Sequence, residues 1–219
     1  MTLPLAASLL LGELIALAGL SGMLTRSLYI CFIRIFRSKT IALTGLIILL
    51  FPGTVVHELA HLFIAEILRV RTGKLTLVPE SLEPSEIQTG SVAIAQTDPF
   101  RRTLIGLAPV YVGIAALTAL SFITVLPILT FYGMFAVSNS MFSSKEDMKG
   151  VIPFTITVAL FVAAGYFAGF RLGLTGELLT KTLLVIETLV GSLGIVLAVN
   201  LVTLAATSLL LSIFSPHHR

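Results

Sequence analysis

The forty positions from Thr103 to Phe142 hold no charged side chain and no histidine. A run of that length accommodates two membrane spans of about 20 residues each, with residues 121–127 as the turn between them. Further apolar runs, with few charged positions, cover residues 3–23, 40–68, 151–170 and 182–214. The expected fold class is therefore an all-α polytopic membrane protein with about five to six transmembrane helices. Only 11% of the residues are charged, against about a quarter in soluble domains, and 56% are hydrophobic. A water-soluble fold of this size has too little interior to hide that much apolar surface, so lipid is the natural solvent for much of the chain. Residues 1–219 read as one membrane-embedded domain with its core at 40–150. The first run carries Glu13 and lacks a basic n-region, so a retained helix is expected rather than a cleaved signal peptide.

The segments between the runs carry their own patterns. Residues 24–39 interleave Arg26, Arg34, Arg37 and Lys39 with apolar positions, which predicts an amphipathic interfacial segment. Pro52-Gly53 interrupts the second run and predicts a bend there. Residues 74–78 and 91–96 alternate like strands, so the insert at 72–98 is expected to be a β-hairpin with an acidic tip at Glu80, Glu83 and Glu86. Residues 143–150 and 171–181 read as polar and Gly-containing loops. The last run exceeds one upright span, which predicts tilt or a break near Gly191 and Gly194. The net charge of +3 comes from short basic runs beside apolar segments. That placement suits contact with the lipid bilayer and excludes a nucleic-acid partner. A single cysteine, Cys31, excludes an internal disulfide and a Cys-based zinc cluster.

Within the second run, His57-Glu58-Leu59-Ala60-His61 is H-E-x-x-H. Helical residues four apart share a face, so the two imidazoles can bind one ion, with Zn2+ the expected cofactor. Glu58 is turned about 100° from His57 and is placed to take a proton from a zinc-activated water. Two histidines and an acid within five residues of a hydrophobic span are costly unless they are used. The bland alternative is a pair of hydrogen-bonded core histidines. A catalytic zinc takes three protein ligands and keeps an open position. Asp98 and Asp147 are the only aspartates. Glu66 lies nine residues after His57, on the opposite helix face. Glu13 and Glu187 are open as ligands from other helices.

These residues resemble the site-2 protease family of intramembrane zinc metallopeptidases. That family pairs H-E-x-x-H with a distant N-x-x-P-x-x-x-L-D-G element. Here Asn139 and Asp147 reproduce the Asn-to-Asp spacing of eight after an apolar span, with Phe142 at the Pro position, Glu146 at the Leu and Met148 at the Gly. The resemblance implies that Asp147 is the third zinc ligand and that Asn139 positions substrate or Asp147. Residues 106–109, Gly-Leu-Ala-Pro, resemble the family's A-G-P segment, and the hairpin resembles its membrane-associated β element, whose strand edge holds extended substrate. No stretch is long enough for a PDZ-like module.

The implied activity is hydrolysis of peptide bonds in membrane or membrane-associated proteins, by an integral multi-pass protein of a prokaryotic-type cell membrane. The resemblance places the zinc site on the cytoplasmic side. An alternative from another class is a catalytically inactive metal-binding scaffold or chaperone of the same fold. A transporter would require more polar residues along several spans than Glu13, Glu187 and Asn200 supply.

Overall fold

The computed structural model describes residues 2–76, 91–123, 125–142, 160–161, 164–165, 167–169 and 176–213. Among the described residues the elements follow in order: α1 (Leu3–Phe36), α2 (Lys39–Ile67), β1 (Thr72–Thr76), β2 (Ser91–Ile94), α3 (Pro99–Gly106), α4 (Ala108–Ser121), α5 (Pro127–Ser140) and α6 (Gly176–Ile213). The chain is an all-α polytopic membrane protein. Among the described residues four segments are long and apolar enough to cross a bilayer: α1, α2, α3 with α4, and α6. This is fewer than the expected five to six. The reason is length: α5 has 14 residues, about 21 Å of helix, which is short of a hydrocarbon core about 30 Å thick. The span expected at 151–170 lies largely outside the described residues.

Residues 24–39 do not form a separate interfacial segment. Residues 24–36 continue α1, a single helix of 34 residues, and Lys39 already opens α2. Leu17, Ser21, Leu24, Leu28 and Cys31 are buried, and their spacing alternates four and three, so one stripe runs through both halves of the helix. On α6 the buried Leu189, Leu193, Val196, Asn200 and Thr207 follow the same spacing. The two stripes face each other, and the Ser27 and Thr207 hydroxyls meet across the contact at 2.7 Å. The opposite faces expose Leu11, Ile15, Ile195 and Val202, which lipid solvates at no cost. Nor does α6 break at Gly191 or Gly194; it runs unbroken from Gly176, so residues 176–181 belong to the helix and not to a loop. Gly194 instead makes room for the Glu13 side chain, whose Oε1 lies 3.2 Å from where a Cβ would stand.

The corner between α1 and α2 takes two residues. Arg37 adopts the left-handed conformation (φ 52°) and its amide closes onto Ile33. Ser38 then caps α2 by accepting from the Ile41 amide.

Helix α2 runs through Pro52 as one helix. The Pro-Gly pair that predicts a bend is the docking point of α5. Pro52 has no N–H to offer the carbonyl of Ile48, one turn back, and the Tyr132 hydroxyl of α5 donates to that carbonyl at 3.3 Å. In lipid an unmet carbonyl costs several kcal/mol, so such a side-chain donor is worth keeping. One residue on, Gly53 presents bare backbone to α5: a Cβ there would overlap the Ala136 carbonyl and reach Ser140 Oγ. The helices touch backbone to backbone at this point, as small residues permit in membranes.

The hairpin is antiparallel, with Thr72 opposite Ile94 and Leu75 opposite Val92, and an irregularity between those pairs. Its strands lie within two residues of the expected positions, and it packs against α2. The acidic tip at 80–86 lies outside the described residues.

Candidate metal centre

Helix periodicity puts His57 and His61 on one face of α2, and both are buried with Glu58. Side chains on a helix lean toward its N-terminus, so His61 leans toward His57. Their Nε2 atoms approach to 3.3 Å, with ring planes 78° apart. Two nitrogens bound to one tetrahedral zinc at about 2.0–2.1 Å stand about 3.3 Å apart. The donor pair therefore fits the ion.

A ligating imidazole is held by what its other nitrogen touches. His61 Nδ1 lies 2.9 Å from the Ile105 carbonyl. A carbonyl only accepts, so Nδ1 carries the proton and Nε2 keeps its lone pair toward His57. The local sequence makes this carbonyl accessible. Its ordinary helical donor would be the amide four residues on, and that residue is Pro109. The helix duly steps at Leu107, where α3 ends and α4 begins. Ala65, Val70 and Ile105 form a small apolar cluster that seats α3 on the end of α2. The family-like segment at 106–109 thus has a physical role in this chain: it presents a backbone acceptor to a histidine. Pro109→Ala restores a competing N–H, and about tenfold weaker zinc binding is expected by chelator competition. Unchanged affinity would show that the carbonyl does not orient His61.

The other candidates separate cleanly. Asp98 caps α3: its carboxylate accepts from the Arg101 amide at 3.0 Å and sits 3.3 Å from the Arg101 guanidinium. That amide first, and the guanidinium after it, hold the Asp98 carboxyl below its ordinary value. Glu66 is exposed, as its place on the helix predicts, and Glu187 is exposed on α6. Among the described residues no three His, Cys, Asp or Glu side chains gather in a metal-binding group, so neither Glu13 nor Glu187 joins the two histidines. Asp147 lies outside the described residues.

Asn139 is buried near the end of α5, and its partner is Asn200 of α6. The two amides exchange a reciprocal pair of hydrogen bonds, at 3.1 and 3.2 Å, and Asn139 Nδ2 also donates to the Phe135 carbonyl at 2.8 Å. Both amide hydrogens are used, leaving only a lone pair of Oδ1 for any further contact. Asn200 and Ile105 are site-supporting residues that sequence reasoning missed. For Ile105 a signal existed, a proline four residues downstream. For Asn200 the only hint was a lone amide in an apolar helix. Compared with models of known protein families, with curated proteins and with solved structures, the chain matches none.

Proposed function

We propose that this chain is a membrane-embedded zinc metallopeptidase, in a prokaryotic-type cell membrane, that hydrolyses peptide bonds of membrane or membrane-associated proteins. The observation that carries the reading is the pair of buried imidazoles, with Nε2 atoms 3.3 Å apart, inside a membrane helix. Two such groups in lipid are expensive without a function. His57, His61 and Asp147 would hold the ion. Asp98 caps a helix, Glu66 faces away, and Glu13 and Glu187 stand apart from the histidines. That elimination and the family-like spacing favour Asp147. It follows Phe142 by five residues, within roughly 17 Å of extended chain.

When bound, zinc supplies a Lewis acid that polarises a substrate carbonyl and acidifies water. Glu58, next to His57 and turned off its face, takes the proton from the attacking water and passes it to the leaving amine. Burial among apolar side chains excludes bulk water and strengthens each of these interactions. The hairpin packed on α2 offers strand edges to which an extended substrate can hydrogen-bond.

The test is metal content. The purified full chain should carry about one zinc per molecule, and chelation should abolish cleavage of a membrane peptide. Asp147→Ala should weaken zinc binding at least about tenfold by chelator competition. A wild-type protein that takes up no zinc would end the reading. An unchanged affinity in Asp147→Ala would remove Asp147 from the ligand set. The inactive-scaffold alternative draws on the Asn139 amide being taken up by Asn200. Stoichiometric zinc with no cleavage of any membrane peptide would favour it.

A further inference from the structure

The packing of α5 beside α6 leaves a gap. A groove of about 310 Å³ lies there, lined by Phe131 and Phe135 of α5 and by Val196 and Val199 of α6, with Leu28 of α1 and Leu49 of α2 completing it. It opens outward, since Phe131 and Val199 are 38% and 45% exposed. Two hydroxyls border it, and both donate to the protein's own backbone: Tyr132 to the Ile48 carbonyl at 3.3 Å, Thr203 to the Val199 carbonyl at 2.8 Å. Neither hydroxyl hydrogen is left for an extended peptide, whose carbonyls would go unmet in lipid. A helix is too wide, because one turn, about 10–12 Å across and 5.4 Å long, fills roughly 400–600 Å³. The groove suits a thin, wholly apolar chain.

Depth and charge narrow the choice of chain. Leu28 lies nine residues before Arg37, and Leu49 eleven after Ser38. The groove is therefore about 13–17 Å below the α1–α2 corner, the depth of one leaflet in a hydrocarbon core about 30 Å thick. Helix α6 runs parallel to α1, with Glu13 beside Gly194 and Ser27 beside Thr207, so it ends near that corner. Helix α5 begins near it, with Tyr132 at Ile48. Among the described residues at this end of the bundle, the charged ones are Arg26, Arg34, Arg37 and Lys39. All are basic, and the sequence has no acidic residue from Leu14 to His57. The opposite end mixes Arg69 and Arg101 with Glu66 and Asp98. Only the corner end presents a field of one sign, and that sign attracts anionic headgroups. We propose that the groove holds one acyl chain of an anionic phospholipid from the leaflet at the α1–α2 corner, with the headgroup on the exposed Arg37 and Lys39. Nothing in this site depends on zinc.

The full chain, purified in detergent and stripped of lipid, is titrated by native mass spectrometry with phosphatidylglycerol or with phosphatidylcholine of identical tails. One phosphatidylglycerol per chain should bind first, about 5–25-fold more tightly than phosphatidylcholine, since each Lys or Arg near the surface contributes about fivefold. Arg37→Gln with Lys39→Gln should weaken only the anionic lipid and bring the two within about twofold. Val199→Phe with Thr203→Phe fills the α6 wall of the groove and should weaken the first site for both lipids at least about tenfold. The site is also located on the unaltered chain. Phosphatidylglycerol with a photoreactive diazirine near the end of one tail should label residues 131–135 and 196–203, and excess plain lipid should suppress that label. Equal affinity of the wild type for the two headgroups overturns the proposal. So does label spread over the exposed face of α1 with none at the α5–α6 seam. A wild-type dimer that separates when the groove is filled assigns the groove to a second copy and overturns it as well.

Discussion

Glu58→Gln is expected to lower the rate of peptide hydrolysis by about 10²–10⁴-fold while zinc content stays at the wild-type level. Glutamine keeps the shape of the side chain and its hydrogen-bonding reach, and loses only the ability to take and return a proton. The two histidines are untouched, so their Nε2 pair at 3.3 Å remains available to the ion. The variant therefore separates holding the metal from using it. Cleavage of a synthetic transmembrane peptide, with zinc counted by elemental mass spectrometry, makes the comparison. A zinc-loaded Glu58→Gln protein that cuts at the wild-type rate would remove Glu58 from the chemistry and return the three residues to a structural role.

The second large effect is structural and falls five residues before Glu58. Gly53→Ala should destabilise the protein by about 1–3 kcal/mol or more, because the new methyl overlaps the Ala136 carbonyl. Backbone does not yield as a side chain does, so α5 must move off α2. That motion would also pull Tyr132 from the carbonyl that Pro52 leaves unmet. Gly113→Ala is the matched control. There the added methyl meets the Met141 Cβ at 3.2 Å and its Sδ and Cε at 3.3 Å, close contacts rather than an overlap with backbone, which small shifts relieve for less than about 1.5 kcal/mol. Denaturant unfolding in detergent should rank wild type above Gly113→Ala and Gly113→Ala above Gly53→Ala. Equal stability of Gly53→Ala and wild type would contradict the backbone contact.

Some of this was legible before any coordinates. The long apolar runs require a membrane fold, and the i, i+4 spacing of His57 and His61 requires one shared helix face. The alternation at 74–78 and 91–96 predicts the hairpin. These are local properties: a period along the chain is set by backbone geometry and needs no knowledge of neighbours. The four-three spacing along α1 was also present in the sequence. It is easily missed in a helix that is apolar all round, because lipid and core accept the same side chains and hydropathy does not mark which face turns inward.

What only the tertiary structure decided is who stands opposite whom. Ile105 reaches His61 across 44 positions of sequence, and Asn200 reaches Asn139 across 61. Pro52 reads as a bend along the chain and Pro109 as part of a family-like segment, yet in the bundle each leaves a carbonyl to be met by a side chain from another helix. No local rule selects those partners. They follow from which helix faces meet, and that is settled by close contacts such as Gly53 on Ala136, where the absence of a single carbon lets two backbones touch.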